Sequence, residues 1–285
     1  MKNSKTIGII GGMGPTATVD IFDKIVRNTQ AVTDQEHLRI LIDNNPKIPS
    51  RAENILNDGP SPLPTLIKMC KDLEKSGADF LIMPCNTATY YIKELRESVK
   101  IPILDIVKES ADYTLETYPN IKRIGILGTE MTLRLGLYQK AFINSIFEQR
   151  FNEQHKELME ELLSTIREKY TPHTALYLEE SNPKIVFENE NNAQIILESP
   201  TLSELRKYIM SAIFDKKGIK AGYLKGPRRR VLKILKDFQK NDIEAVILGC
   251  TELPLVIPEK KLYGMHIIDP TEVLAKRAIE FAQLP

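Results

Sequence analysis

The chain has 285 residues, 42% hydrophobic and 27% charged, with a formal net charge of +1. That length allows one large or two modest domains, and the near-neutral balance gives no global electrostatic reason to expect nucleic acid or a membrane surface as partner. Three widely separated cysteines make neither a disulfide framework nor a zinc signature, no apolar run approaches the ~20 residues of a membrane span, and the start shows no signal-peptide core, so a reducing cytoplasm is expected.

Apolar runs alternate with segments of helical period, which predicts an α/β fold with mostly parallel sheets. Strands are expected near 5–10, 38–43, 79–83, 101–104, 122–127, 244–248 and 265–268. Helices are expected over 15–31, 63–76, 88–98, 106–118, 132–150, 202–216, 228–241 and 270–283. Over 63–76, Leu63, Leu66, Ile67, Cys70 and Leu73 form one apolar stripe, so Cys70 reads as a buried small hydrophobe. The stretch 148–193 differs. Phe151, Leu158, Leu162, Leu163 and Ile166 fit an amphipathic helix, and ALYL and KIVF, separated by Ser-Asn-Pro, fit a short hairpin.

Three landmarks recur in the same order. TIGIIGGMG is echoed by RIGILGTEM from Arg123, FLIMPCNTAT by AVILGCTELP, and IPILDI with Asp105 by MHIIDP with Asp269. Cys85 precedes Asp105 by 20 residues and Cys250 precedes Asp269 by 19. Gly8 to Cys85 is 77 residues but Gly125 to Cys250 is 125, so the second half carries an insertion of about 48 residues. The expected domains are 1–105 plus about 270–285, and 106–269 with the insertion at about 148–193.

The repeat delivers two cysteines, Cys85 and Cys250, each at the carboxyl end of a buried strand, where α/β sheets hold their catalytic groups. Two thiols facing one cleft suit a reaction that needs a base on one face of a carbon and an acid on the other. Each is expected between a strand and a following helical segment, whose dipole favours a thiolate. Asn86, Thr87 and Thr251, which follow the cysteines, are suited to hydrogen-bonding a carboxylate or orienting a thiol.

Gly12-Met13-Gly14-Pro15-Thr16-Ala17 fits a dinucleotide fingerprint, with Asp43 as a candidate ribose acid. Pro15 lacks one N–H that a pyrophosphate would use, and a tight turn near a small substrate explains the glycines equally well. NNPKIPSR reads as a rigid loop carrying Arg51, suited to bidentate carboxylate recognition. KKGIKAG places Lys220 among glycines. The run KGPRRR lacks interleaved aromatics and opens an amphipathic helix, so it reads as a solvated face. His37, His155, His173 and His266 have no metal-ligand spacing.

IGIIGGMGPTAT, DQEHLRI, NNPKIPSR, ADFLIMPCNTAT, IGILGTEMT, GIKAG and GCTELPL together resemble the cofactor-independent aspartate/glutamate racemases, in particular their aspartate racemase branch. The resemblance spans nearly the whole chain except the insertion. It implies two pseudo-symmetric α/β domains, each a mostly parallel sheet flanked by helices, with the active site in the cleft between them, and a homodimer. It implies interconversion of L- and D-amino acids without pyridoxal phosphate, metal or other cofactor. By resemblance Cys85 and Cys250 are the catalytic pair, Arg51 and Lys220 hold substrate carboxylates, and Asn86 and Thr87 lie near the α-carboxylate. Met13, Thr129 and Thr251 lie in matching loops. Aspartate racemases usually carry histidine after CNTA where this chain has Thr89, which leaves aspartate and glutamate both open as substrates. Related cysteine-pair enzymes act on hydantoins or maleate, and an inactive amino-acid-binding protein is the non-enzymatic alternative.

Overall fold

A computed structural model of the chain describes residues 4–150, 184–188 and 194–284. They fall into two compact units, Met1–Glu109 with Pro270–Pro285, and Ser110–Asp269. Among the described residues no helix is long and apolar enough to cross a membrane.

The first unit is built on four parallel strands in the order β2-β1-β3-β4, namely Ile40–Asn44, Ile7–Gly11, Phe80–Ile82 and Ile103–Leu104. Both β1 and β3 are buried throughout, as their unbroken apolar runs require. A Cβ at Gly8 would lie 2.5 Å from Leu81 Cδ2 and 2.9 Å from Ala78 Cβ, so glycine lets β1 and β3 pack side by side. Helices α1 (Pro15–Asn28), α2 (Arg51–Asn57), α3 (Leu63–Lys75) and α4 (Ile92–Ser98) follow in chain order, and α5 (Ile106–Thr117) begins in this unit and continues past Glu109 into the second. The stripe predicted on α3 is present, with Leu66, Met69, Cys70 and Leu73 buried. Burial pushes the Cys70 thiol up to about 12, which keeps it an inert core group.

The last helix of the chain, Pro270–Gln283, belongs to this unit and packs on α1. Its Thr271 is fully buried, receives a hydrogen bond from Lys24 Nζ (2.7 Å) and donates one to Asp20 Oδ2 (3.1 Å). Ala275, Ala278 and Ala282 on its buried face keep the two helices close.

The second unit contains six strands in the order β6-β7-β5-β8-β10-β9. These are Lys184–Glu188, Gln194–Glu198, Arg123–Gly128, Ala245–Gly249, Met265–Ile268 and Lys261–Leu262. The four inner strands are parallel, and β6 and β9 are antiparallel edges. The inner order β7-β5-β8-β10 reproduces β2-β1-β3-β4 strand for strand, so the sequence repeat is a repeat of topology. Helices α6 (Glu130–Arg134), α7 (Leu137–Arg150), α8 (202–214, with a π-wound stretch at Leu205–Met210) and α9 (Lys225–Lys240) complete the unit.

Several expectations change. The helix expected over 132–150 is two helices, because Gly136 takes a positive φ of 58° between them. Residues 51–57 form a helix that was not expected, so Arg51 opens a helix at the end of the predicted loop; Ser50 starts it, its Oγ accepting from Glu53 N at 3.3 Å. Strand β7 was not anticipated. KIVF does enter a hairpin, but the strand it pairs with is β7. The helix expected over 151–166 and the strand ALYL lie outside the described residues.

Candidate active site

Each unit carries one half of the predicted constellation, and the two halves start from the same local structure. In the first, the Cys85 N–H donates to Met83 O (2.8 Å), and in the second the Cys250 N–H donates to Leu248 O (2.7 Å). Both are tight three-residue turns that stop the strand and turn the chain at the cysteine. A tight helical turn follows each, Thr87–Tyr91 after Cys85 and Leu253–Leu255 after Cys250. Both cysteines are free thiols and 6% exposed.

The surroundings then diverge. Cys250 Sγ donates to Glu252 Oε2 at 3.1 Å, and Thr251 Oγ1 donates to the same oxygen at 3.4 Å. The other carboxylate oxygen, Oε1, is paired with Lys220 Nζ. Glu252 is 3% exposed, so its charge is neutralised by Lys220 within the fold. Burial pushes the Cys250 thiol well above its ordinary range, the charge of Glu252 pushes further, and Lys220 opposes. The expected helix dipole is missing here: only three residues of tight turn follow Cys250, and the thiol is held protonated. Lys220 sits in a one-turn helix, Ile219–Ala221, between Gly218 and Gly222. A Cβ at Gly218 would lie 2.8 Å from Ile213 O, and Gly222 takes φ +85°, so both glycines are needed to present this lysine.

Cys85 makes no hydrogen bond through its sulfur among the described residues. It lies in one buried apolar cluster with Met13, Ile48, Ala88 and Tyr91. Asn86 is 3% exposed and Thr87 half-buried. Thr89 Oγ1 donates to Asp105 Oδ1 (3.2 Å), which also accepts the Val107 N–H (2.9 Å). Asp105 therefore ties the turn after Cys85 to the start of α5, and burial raises its carboxyl above the usual range. A second tie runs from the Tyr91 hydroxyl to Asn54 Oδ1 (2.7 Å) on α2. The Tyr91 phenol is pushed up to about 12, chiefly by burial and then by Tyr90, so it stays a donor.

That tie fixes Arg51, the first residue of α2, relative to the Cys85 turn. Arg51 Nη1 donates to Pro49 O (3.1 Å), while its Nε is buried with no hydrogen-bond partner. No carboxylate pairs with it among the described residues. It is a half-buried guanidinium with donors left for an anion.

The glycine loop after β1 is a packing device. Gly12 has φ +99°, a Cβ there would lie 2.3 Å from Asn45 C and O, and its N–H donates to Thr18 Oγ1 at 2.9 Å. The amide that a phosphate would need is thus used internally, and Pro15 has none, which favours the tight-turn reading over a dinucleotide site. Thr129, in the corresponding loop after β5, caps α6 by accepting from Thr132 N at 3.2 Å.

Sequence reasoning missed Glu252. The signal was present in GCTELP, where an acid two residues beyond a candidate catalytic thiol has a short reach to it. Asp105 was seen only as a landmark of the repeat.

Doubly represented parallel sheets with one thiol at the equivalent strand end of each define a class of two-cysteine α/β proteins. Comparison makes the assignment specific. The Asp/Glu/Hydantoin racemase family model matches residues 10–181. The broad specificity amino-acid racemase RacX of Bacillus subtilis is 30% identical over 174 residues, 59% of this chain and 74% of that protein. Glutamate racemase of Aquifex aeolicus is 25% identical over 228 residues, 77% of this chain and 66% of that one. Among solved structures, Picrophilus torridus aspartate racemase superposes with a TM-score of 0.69 at 26% identity, covering 98% of this chain and 94% of that chain. The chain belongs to the Asp/Glu/Hydantoin racemase family.

Proposed function

We propose that this chain is an amino-acid racemase that interconverts the L and D forms of an acidic amino acid, aspartate first, by two-base proton transfer between Cys85 and Cys250. The observation that carries the reading is the pair of thiols at equivalent strand ends, each stopped by the same tight turn. One sulfur, as thiolate, takes the proton from Cα. The other, as thiol, gives its proton to the opposite face. One proton leaves the carbon and one arrives, so the two sulfurs exchange protonation states and the reverse direction follows by symmetry. Pyridoxal phosphate and metal have no part in this scheme.

The resting protonation state of Cys250 follows from its surroundings. Cys250, buried and donating to Glu252, begins as the acid. When Cys250 has to act as the base, Glu252 is the group within reach to accept its proton, and Lys220 limits the cost of the buried negative charge. The carbanion at Cα forms beside a carboxylate, so fixed cations and donors must hold that carboxylate. Arg51 has donors left for this task. The choice of a dicarboxylic substrate rests on it and on the aspartate and glutamate racemases among the similar proteins.

The direct test is racemisation of L-aspartate in deuterium oxide, followed by chiral chromatography and mass spectrometry, with glutamate and the other common amino acids run alongside. The D product should carry one deuterium at Cα. Turnover of a neutral amino acid with none of aspartate or glutamate would sink the substrate assignment. A D product that retains the original α-hydrogen would sink the mechanism.

A further inference from the structure

The second unit holds a groove of 1040 Å³ that the racemase reading does not use. It is lined by residues of α8, α9 and the segment joining them, and Cys250, Glu252 and Lys220 are not part of its lining. Lys216, Lys217, Arg229, Arg230 and Lys233 face it with a single acid, Asp215. Asp215 is taken by Arg230 Nη1 at 2.7 Å, and Arg230 Nη2 also donates to Lys217 O at 3.3 Å. The other four cations have no ion-pair partner among the described residues.

The unit's other described arginines behave differently from Arg229. Arg123 pairs with Glu198, and Arg134 and Arg206 with Glu130. The contrast runs through one tripeptide. Arg228 is held by both oxygens of Glu259 and by Val256 O, Arg230 by Asp215, and Arg229 between them by no carboxylate among the described residues. Two tyrosines complete the wall, Tyr208, half-buried, and Tyr223, 49% exposed. The sequence of KGPRRR alone shows no aromatic partner, but the fold supplies two from other elements.

Four uncompensated cations in a concave, aromatic-walled site select a compact polyanion that also carries a flat ring. We propose that this groove binds a nucleoside polyphosphate, with the phosphates on Lys216, Lys217, Arg229 and Lys233 and the base against Tyr223. The size suits one nucleotide, and the chain's net charge of +1 provides no longer basic track for a strand of nucleic acid. Two residues, Gly218 and Ile219, separate Lys217 from Lys220, so an occupant would sit on the same loop that presents the partner of Glu252.

The experiment is calorimetric titration of the full chain with ATP, inorganic tripolyphosphate and a short single-stranded oligonucleotide, at low and at physiological salt. No amino acid is present, and the Cys85→Ser variant is run in parallel, so the result is independent of racemisation. ATP should bind, more weakly as salt rises. Arg229→Glu with Lys233→Glu, both exposed, should weaken ATP and tripolyphosphate alike by about tenfold or more. Tyr223→Ala should weaken ATP about tenfold and leave tripolyphosphate unchanged. Absence of ATP binding, or ATP binding indifferent to the double charge reversal, overturns the proposal. Tripolyphosphate binding as tightly as ATP, or the oligonucleotide binding more tightly than ATP, overturns the nucleotide assignment.

Discussion

The Cys85 and Cys250 turns are the same in backbone and opposite in setting. Each cysteine ends its strand with a tight N–H bond two residues back, and each is buried to the same degree. Yet Cys250 donates to a buried carboxylate that is itself clamped by a lysine, while Cys85 sits among Met13, Ile48 and Ala88 with no hydrogen bond to its sulfur among the described residues. The lesson is that a symmetrical scaffold need not give symmetrical chemistry. Backbone repetition delivers two thiols to equivalent places, and the side chains around each decide what its sulfur can bond to.

The strongest way to break the comparison is to remove one sulfur at a time. Cys85→Ser and Cys250→Ser should each lower turnover by about 10²–10⁴-fold, because serine is a poor acid and base near neutral pH. Chiral assay of both directions reads the loss. Normal racemisation by either variant would remove that cysteine from the chemistry.

Next in size is the cation held beside the Cys85 turn. Arg51→Met should cost about 10–100-fold in kcat/KM, the loss expected for a charge-assisted hydrogen-bonding partner of a carboxylate. Tyr91→Phe cuts the tie from the turn to Asn54 and so loosens the same arginine. A smaller fall in kcat/KM is expected, with circular dichroism unchanged. If Arg51→Met left KM and kcat alone, the carboxylate would have to be held elsewhere.

The pH profile sharpens the comparison. Burial and then Glu252 hold Cys250 protonated, so the direction that uses Cys250 as base gains activity as pH rises. Glu252→Gln removes the charge that adds to the effect of burial, and the rise should begin at lower pH. Lys220→Met removes the opposing charge and should move it upward. A profile of kcat/KM unmoved by Glu252→Gln would show that the contact has no part in setting the thiol.

The smallest effect is expected at the third cysteine. With its thiol at about 12, Cys70 should resist iodoacetamide at pH 8 while the chain is folded, and Cys70→Ala should leave racemisation unchanged. Peptide mass spectrometry after brief labelling reads this directly.

Much of this architecture was legible in the amino-acid order. Unbroken apolar runs mark β1, β3, β5 and β8 because strands buried on both faces need no alternation. What escaped did so for physical reasons. β7 is the counterpart of the edge strand β2, and the repeat required a strand there, but QIILE stands beside a polar, acidic stretch that masked it. α2 is too short for its period to show, and its start rests on one serine oxygen. Arg51 and Lys220 were visible as isolated cations. Only the fold shows that Lys220 has a carboxylate and that Arg51 has none among the described residues.

The paired glycines of the repeat carry a last consequence. Gly8 makes room for Leu81 from the neighbouring strand, whereas at Gly125 a Cβ would meet Phe238 of α9 at 2.5 Å. The repeat keeps the vacancy but not its tenant. Grafting β1 in place of β5 would bring the same gap to a different neighbour, so the two halves share a backbone plan without sharing what fills it.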